Sequence, residues 1–278
     1  MYIDPKWRVL TVGDGDLSFS ESLLKHHQPH QLTATIYDSL DCLNEKYGDE
    51  YYRQLQKKSC QIITGFDVTD KSTWGELNHK SFDVVIFQFP LLPAFPSHKA
   101  FQAQCENFSI NTLNRVLLRK YLLNCFEHFL NENGANLALI TSKNVKPYRE
   151  WDIERSLIRN TDINYIGRHF FDITKFPDYK VRNVNRDTHV KSTQGTTYIY
   201  SMDSLEGCKT IFDNVSDDYI TYNRPSRVPE HKTCQVCRTG AFANERDKTM
   251  HLASKKHHQM FEYEAQWSLF LQQEEINN

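Results

Sequence analysis

The chain has 278 residues and a mass of 32.7 kDa, which is enough for an enzyme-sized domain plus a small module and excludes a small disulfide scaffold. With 39% hydrophobic residues and 33 Lys and Arg against 35 Asp and Glu, it is neither an intrinsically disordered chain nor a uniformly basic nucleic-acid binder. No apolar run approaches the roughly 20 residues of a membrane helix. The first residues also lack the basic-then-apolar order of a signal peptide, so we expect an intracellular protein with no membrane partner.

Short β-rich runs alternate with helical periodicity from Arg8 to about Ser201, a pattern typical of βαβ units around a parallel sheet. Five runs are predicted as the parallel core: residues 8–12, 32–37, 60–65, 83–89 and 136–141. Two later runs, 163–171 and 196–202, are predicted to pair as an antiparallel hairpin at the C-terminal edge of the sheet. The fold class is therefore α/β.

Helical periodicity is predicted at four places in the same region: residues 18–25, 40–57, 72–77 and the long amphipathic 108–130. The stretch 203–230 contains Pro225 and Pro229 and no long period, so we predict a linker there. The predicted organisation is a sheet domain at 1–202, this linker, a small module at 231–260 and a C-terminal helix or tail at 261–278.

Charge and cysteine are both concentrated towards the C-terminus. Residues 224–261 carry eight Lys and Arg against three Asp and Glu, whereas 262–278 carry four Glu and no basic residue. Of the seven cysteines, five are scattered and are interpreted as small buried residues, while Cys234 and Cys237 form a close pair inside the basic segment.

The first predicted strand runs into the sequence Val12-Gly13-Asp14-Gly15-Asp16 and then into a helix. Ser18 with Glu21 three residues later fits a capping box, which predicts free helix N–H groups pointing at the loop and able to bind an anion. Glycines also occur in tight strand-to-helix turns for steric reasons alone, so this interpretation stays open.

Two acidic residues follow the next strands, Asp38 after the second and Asp67 after the third. Asp38 is placed to accept hydrogen bonds from ribose hydroxyls, and Asp67 from an adenine amino group with Phe66 beside the ring. A third fingerprint glycine is missing, because Ser18 takes its place, and no Gly-Lys-Ser/Thr is present. NAD and nucleoside triphosphates are therefore less favoured than S-adenosylmethionine (SAM).

Seven short segments occur in one order: VGDGDLSFS, YDS followed by EKY, GFDVT, FDVVIFQFP, NRVLLR, PYREWDIE and FPDYKVRN. In this order they resemble the eukaryotic large-subunit rRNA (uridine-N3)-methyltransferase family over about residues 7–201. The resemblance implies a Rossmann-like class I methyltransferase sheet and SAM as cofactor. Carried over by motif, the implied SAM contacts are Gly13, Asp14, Gly15, Asp38 and Asp67.

Loops after the fourth and fifth strands are expected to face the methyl donor, because chemistry in a doubly wound sheet lies beyond the carboxyl ends of its strands. Gln88, Phe89, Pro90 and Lys143 are the candidate catalytic residues there: Phe89 to stack on a base, Gln88 to pair with its edge and Lys143 to supply positive charge. Phe89 and Pro90 also have a simpler interpretation as the end of a strand. Family members read Asn-Phe-Pro-His with a Gly nearby, whereas Leu91 and Leu92 follow Pro90 here.

Further basic and aromatic residues are candidates for RNA contact. Asn111, Arg115 and Arg119 lie on one stripe of the long helix, either as phosphate contacts or as an ordinary salt-bridged face. Six loop residues could border an RNA groove: Lys143, Tyr148, Trp151, Tyr179, Arg182 and Asn183. Tyr148 and Trp151 have core packing as the alternative.

The spacing Cys234-x2-Cys237-x13-His251-x5-His257 has the residue types of a tetrahedral structural zinc site, with both histidines on one helix face. His258 is the alternative to His257, and Phe242 is placed to fill the small core. The histidine gap resembles matrin-type fingers, which are associated with double-stranded RNA or protein partners. The predicted module is thus a small Cys2His2 zinc finger, whose lysines either face phosphate or form a solvated helix face.

Together these features predict a SAM-dependent RNA base methyltransferase, with ribosomal RNA uridine N3 as the substrate implied by the resemblance and zinc as a second bound group. The alternative is a Rossmann-like adaptor that binds RNA or protein without turnover. A protein partner bound through the finger or through the C-terminal helix is a further expectation. We expect a nuclear location, including the nucleolus, with the cytoplasm as the alternative.

Overall fold

The computed structural model describes residues 1–277 except 94, 96, 183–193, 213–219 and 224–227. Within these residues one large sheet contains eight strands: β1 (Arg8–Val12), β2 (Gln31–Thr35), β3 (Gln61–Ile63), β4 (Val84–Gln88), β5 (Leu137–Ser142), β6 (Asn164–Phe171), β7 (Gly195–Ser201) and β8 (Thr221–Tyr222). Their spatial order is β3-β2-β1-β4-β5-β7-β6-β8. The five predicted core strands are confirmed, and all of them pair in parallel.

Strand β1 is the switch point of this sheet, because β2 lies on one side of it and β4 on the other. The chain therefore winds outward in two directions, and the loops after β1 and β4 meet at the carboxyl edge. Strand β7 lies between β5 and β6 and is antiparallel to both. The predicted hairpin forms, but the short β8 pairs with the outer side of β6 and makes the edge.

Eight α-helices belong to the described residues: α1 (Ser18–His26), α2 (Leu40–Tyr47), α3 (Glu50–Lys57), α4 (His98–Gln104), α5 (Ile110–Asn124), α6 (Leu205–Ile211), α7 (Glu245–Leu252) and α8 (Lys255–Asn277). A π-helical turn, Cys125–Phe129, continues α5. The helix predicted at 40–57 is two helices, because the chain breaks at Gly48, whose φ of 75° is left-handed. The helix predicted at 72–77 is a single 3₁₀ turn, Lys71–Thr73.

Alternating residues of the strands supply two cores, one on each face of the sheet. On β4, Val84 and Ile86 belong to the core that α1, α3 and α6 cover, whereas Val85 and Phe87 belong to the core under α5. Each buried side chain of this size contributes about 1.5–3 kcal/mol of hydrophobic stabilisation. Because both faces of the sheet are buried, the strands are apolar on both faces, and their apolar runs are easy to recognise in the sequence.

The stretch predicted as a linker, 203–230, contains α6 and β8. Cys208 and Phe212 are buried in the first core, and β8 extends the sheet. The described parts of this stretch, α6 with Phe212 and β8, therefore belong to the sheet domain, and the prediction of a linker was wrong for them. Its elements are too short to show a period, which is why the prolines dominated the prediction. Among the described residues, no helix combines the length and apolar character that crossing a bilayer requires.

Candidate active site and cysteine–histidine cluster

The glycine loop joins β1 to α1 and lies against the end of β4. Gly13 has a φ of 63°, and a Cβ built on it would lie 2.9 Å from the Phe87 ring. A side chain is therefore excluded there both by the backbone conformation and by the neighbour. This contact also shows that the loop after β1 and the end of β4 are adjacent, as the switch point requires.

The predicted capping box does not form. Helix α1 has Leu17 at its N-cap in a left-handed conformation with no side-chain cap, and Glu21 pairs with Lys58 at 3.3 Å. Instead the loop carboxylates cap the helix: Ser20 N–H donates to Asp14 Oδ2 at 2.7 Å, and Ser18 N–H donates to Asp16 Oδ1 at 3.0 Å. The prediction of free N–H groups for an anion was therefore wrong, because the loop's own acids occupy them.

Asp14 is buried, and desolvation raises its pKa to about 7, with the nearby charge of Asp16 acting in the same direction. Asp16 itself pairs with Arg182, whose Nε lies 2.6 Å from its Oδ2. The Arg182 guanidinium also lies 4.7 Å from the centre of the Tyr47 ring. The glycine loop is thus acidic, and its negative charge is only partly compensated.

The segment Phe176–Arg182 covers this loop. Lys180 N–H donates to Ser18 Oγ at 3.0 Å, and Phe19 packs against Phe176 and Tyr179 with ring centres 5.1 and 5.2 Å away. Tyr179 and Arg182, predicted to border an RNA groove, therefore lie at the glycine loop. Asn183 lies outside the described residues.

Asp38 and Asp67 follow β2 and β3, so both lie at the carboxyl edge as predicted. Asp38 Oδ2 accepts from Lys46 Nζ at 2.8 Å, and its other oxygen has no hydrogen bond among the described residues. Asp67 Oδ1 accepts from the N–H and O–H of Thr69 at 2.8 and 2.7 Å. Phe66, predicted to lie beside an adenine ring, is instead in the core with an exposure of 1%.

The end of β4 contains Gln88, Phe89 and Pro90, and all three are buried. Phe89 has a φ of 47°, which turns its ring back into the first core, where it meets Phe171 edge-on at 5.7 Å. The interpretation of Phe89 as a base-stacking platform is therefore corrected: no ring face is open. Gln88 differs, because neither its Oε1 nor its Nε2 has a hydrogen-bond partner within the described part of the chain.

Two other buried polar groups near this edge have no partner among the described residues: the amide of Asn111 and the hydroxyl of Ser142. Asn111 lies in the first turn of α5, and Asn114 on the next turn accepts a hydrogen bond from Leu92 N–H at 3.2 Å. Ser142 ends β5 and precedes Lys143, which is half-buried. Desolvation lowers the pKa of the Lys143 ammonium group. The sequence alone could not show that Gln88, Asn111 and Ser142 are unpaired, because only the fold shows which polar groups lack hydrogen-bond partners among the described residues.

The basic stripe of α5 is a salt-bridged face rather than a phosphate-binding one. Arg115 is fully buried, with Nη1 3.0 Å from Glu264 and its guanidinium 4.5 Å from the Trp267 ring. Arg119 pairs with Glu274 at 2.7 Å. Both acids and Trp267 belong to α8, so the C-terminal helix docks on the sheet domain.

Cys234, Cys237, His251 and His257 form a cluster whose ligand atoms all lie within 4.8 Å of one another. The cysteines lie on a small hairpin, β9 (Thr233–Cys234) and β10 (Thr239–Gly240). The two histidines lie on separate helices, not on one helix face as predicted. The reason is that Ser254 Oγ accepts from His257 N–H at 3.1 Å and starts α8 anew.

His258 is not part of the cluster, since its Nδ1 lies 2.9 Å from the carbonyl oxygen of Ser254. His257 Nδ1 lies 3.5 Å from both sulfur atoms, and Nε2 of His251 is buried without a hydrogen-bond partner in the described residues. Phe242 packs on His251 with ring centres 5.2 Å apart. The donor set of two thiols and two imidazoles suits tetrahedral Zn²⁺.

Residues 10–183 match the family described as BMT5-like, rRNA (uridine-N3-)-methyltransferase BTM5-like. The matched stretch begins in β1, includes the glycine loop and the ends of the parallel strands, and extends past Arg182. It covers more than half of the chain. The chain therefore belongs to this family, and its sheet is the Rossmann-like methyltransferase sheet that the resemblance implied.

Curated relatives share parts of the chain. The heavy metal-associated isoprenylated plant protein 41 of Arabidopsis thaliana is 28% identical over 62% of this chain and 32% of its own length. The mouse homolog of ferredoxin-fold anticodon-binding domain-containing protein 1 is 23% identical over 84% of this chain and 39% of its own length. The chain thus spans about a third of the length of these relatives. A solved methyltransferase from Pyrococcus furiosus is 12% identical over 73% of this chain and 78% of its own, with a TM-score of 0.43.

Proposed function

We propose that this chain is a SAM-dependent RNA methyltransferase that modifies uridine N3 in ribosomal RNA. One observation carries the proposal: at the switch point of the sheet, the family-matched glycine loop meets a strand end where the Gln88 amide is buried without a partner among the described residues. Buried polar groups are rarely left without hydrogen bonds. An unpaired amide at the usual ligand edge is therefore a candidate for pairing with substrate.

The residues around the glycine loop fit SAM. Gly13 has no side chain, so the backbone of the loop is open to a ligand. One oxygen of Asp38 can accept from a ribose hydroxyl, and Asp67 lies at the next strand end. Because Asp14 and Asp16 already occupy the helix N–H groups, the loop suits the ammonium group of the methionine moiety better than its carboxylate. SAM, when bound, supplies an electrophilic methyl group on sulfur.

The substrate residues fit the edge of uracil. That edge presents one N3–H donor between two carbonyl acceptors, and the amide N–H of Gln88 can donate to one of these carbonyl oxygens, which holds the base and leaves N3 open to the methyl group. Asn111 and Ser142 are the further unpaired groups at this edge. Desolvation lowers the pKa of Lys143, which increases the neutral amine available to accept the N3 proton. Arg115 is fully buried under α8 and paired with Glu264, so it does not supply positive charge to the substrate.

We propose a single Zn²⁺ held by Cys234, Cys237, His251 and His257, with a structural role. Four protein ligands leave no open coordination position, which is typical of structural zinc. A nuclear location, including the nucleolus, follows from ribosomal RNA as substrate and is part of the same proposal. Microscopy of the tagged protein tests the location, and elemental analysis tests the metal.

The central experiment is transfer of labelled methyl groups from SAM to ribosomal RNA transcripts, followed by mass spectrometry of the nucleosides. We expect N3-methyluridine as the product. Lys143→Met is expected to lower transfer at least tenfold while SAM affinity, measured by calorimetry, stays within a few-fold; the exposed Lys99→Met is the control. Asp38→Ala is expected to weaken SAM binding by about 1.5–3 kcal/mol.

The adaptor remains the second candidate, and the apolar residues Leu91 and Leu92 after Pro90 favour it, since the family has a polar ring there. SAM binding by the wild type without transfer to any RNA would support the adaptor. A methylated product other than N3-methyluridine would contradict the substrate assignment while leaving the methyltransferase activity in place.

A further inference from the structure

A cavity of about 380 Å³ lies between the cysteine–histidine module and the sheet domain. One wall is the chain after β5, including Tyr148 and Arg149, and the middle of β6 and β7, with Arg168 and Tyr198. The other wall is the module itself, with Arg238 and Lys256. Its size is within the range of small-ligand sites.

Contacts of Arg238 fix the module in this position. Its Nη2 donates to the carbonyl oxygen of Glu150 at 3.1 Å, its Nε lies 3.6 Å from Asp152 and its Nη1 lies 3.4 Å from Glu264 of α8. The module is thus attached to the sheet domain by an arginine that meets two carboxylates and one backbone carbonyl oxygen. The cavity is bounded by this attachment rather than by a loose finger.

The cavity has a surplus of positive charge. Five basic and three acidic side chains line it. Lys146 pairs with Glu150, Arg168 with Glu154 and Arg238 with Asp152. Arg149 donates only to the neutral Asn144 Oδ1 at 2.8 Å, and Lys256 has no ion pair in the described part of the chain. Two exposed cations therefore remain for an anionic ligand.

Two tyrosines add flat apolar surface beside these cations. Tyr148 and Tyr198 are partly exposed and line the cavity. Tyr148 is supported from behind by Trp151, with ring centres 4.9 Å apart. Cations for phosphate next to aromatic rings for bases are the usual features of single-stranded nucleic-acid sites. An acidic peptide would use the cations but not the ring faces.

We propose that this cavity binds a nucleotide of the substrate RNA that neighbours the target base, with its phosphate at Arg149 and Lys256 and its base on Tyr148. The chain leads from Lys143 at the substrate edge directly into this wall, so a strand leaving the site is guided along it. The proposal deepens the proposed function and rests on it for the identity of the RNA. It gives the module a role as one wall of the RNA path.

The test compares two charge-reversed double variants of the full chain. Arg149→Glu with Lys256→Glu alters the cavity, while Lys6→Glu with Lys120→Glu changes the same total charge at exposed residues outside it. The probe is a labelled oligouridine of about ten nucleotides, measured by fluorescence anisotropy over a range of salt concentrations. We expect at least tenfold weaker binding for the cavity variant and less than twofold change for the control.

The salt dependence gives an independent readout. Loss of two phosphate contacts is expected to reduce the slope of log affinity against log salt by about 1.4, at about 0.7 per contact for single strands. Tyr148→Leu is expected to weaken binding about tenfold through lost stacking, with little change in slope. Zinc content and SAM affinity must stay at wild-type values, which separates a binding defect from unfolding.

Each outcome separates this proposal from the proposed function. Unchanged RNA affinity in the cavity variant, with methyl transfer intact in the wild type, overturns the cavity and leaves the function standing. Weaker RNA binding in the variant, with no transfer by the wild type, supports the cavity and contradicts the activity. Competition by uridine monophosphate as effective as the oligonucleotide, or preferential binding of an acidic peptide, also overturns the cavity as an RNA site.

Discussion

The glycine loop and the end of β4 are adjacent, yet they satisfy their polar groups in opposite ways. In the loop, Asp14, Asp16 and Ser18 have hydrogen-bond partners inside the chain. At the end of β4, the amide of Gln88 is also buried but has no partner among the described residues. An internally satisfied loop holds its shape before a ligand arrives, whereas an unsatisfied amide gains its hydrogen bonds only with one.

The cysteine–histidine cluster resembles the strand end rather than the loop, because buried Nε2 of His251 also lacks a hydrogen-bond partner among the described residues. The comparison therefore separates a loop that is satisfied internally from two places with unpaired buried polar atoms, for which we propose a base and a metal ion as partners. Four predictions follow from this difference, ordered by expected size.

Removing a metal ligand has the largest expected effect. Cys234→Ser is expected to abolish zinc binding and unfold about residues 232–259, because metal binding supplies on the order of 10 kcal/mol or more in zinc-finger peptides. Elemental analysis and hydrogen exchange measure this, with the sheet domain remaining protected. His258→Ala is the control and is expected to keep the zinc. A wild-type protein without zinc under non-chelating purification would contradict the metal assignment.

The glycine loop is expected to make stability depend on pH through Asp14. Its pKa is raised from 3.8 to about 7, so between these values the folded state holds a proton that the unfolded state has lost. Stability therefore falls as pH rises through this window, by up to about 1.4 kcal/mol per pH unit. Asp14→Asn is expected to remove this slope in denaturation experiments. An identical slope in the variant would show that the titrating group lies elsewhere.

Gly13→Ala tests whether the loop has room for any side chain. Its left-handed φ and the contact at 2.9 Å with Phe87 both oppose a methyl group, so we expect a loss of stability of about 1–3 kcal/mol. Gly48→Ala is the matched control, since its φ is also left-handed but a Cβ there would meet nothing within 4 Å. Equal losses in thermal denaturation would mean that the backbone, and not the Phe87 contact, sets the effect.

The last prediction has the smallest expected effect on stability, and it compares the glycine loop with the end of β4 directly. Thr35 Oγ1 donates to Thr11 at 3.0 Å beside the glycine loop, so Thr35→Val is expected to cost about 1 kcal/mol. Gln88→Leu removes only unpaired groups and is expected to leave stability unchanged or raise it, while methyl transfer falls about tenfold. A marked loss of stability in Gln88→Leu would mean that the amide has a structural partner.

The sequence was sufficient for the parallel strands and for the four residues of the cysteine–histidine cluster. Strands buried on two faces are strongly apolar, and Cys234 and Cys237 are close in the chain, so local patterns display them. The capping box failed because a local pattern at Ser18 and Glu21 competed with acids that only the folded loop brings to the helix. The residue types next to Phe89 likewise do not indicate that its φ is positive.

Long-range partners account for most of what the sequence could not show. Arg182 meets Asp16, and Arg115 meets Glu264, across more than a hundred residues in each case. Both arginines were candidates for RNA contact, because the sequence around a basic residue does not show which residue it pairs with in the fold. Of the two interpretations left open for Arg119, the salt-bridged face is the one that its contact with Glu274 supports.

Helix α8 has a consequence for how sequence variants of this chain should be interpreted. Its first turns carry His257, and its later turns close over Arg115 with Glu264 and Trp267. A premature stop codon before residue 264 would spare every residue of the family-matched stretch, 10–183. It would also remove Glu264, Trp267 and Leu271 together, which exposes the Arg115 guanidinium and gives up the burial of two large apolar side chains, about 1.5–3 kcal/mol for each, from a domain total of about 5–15 kcal/mol. An allele scored as intact from its methyltransferase motifs would then encode a protein with a large part of its folding stability removed.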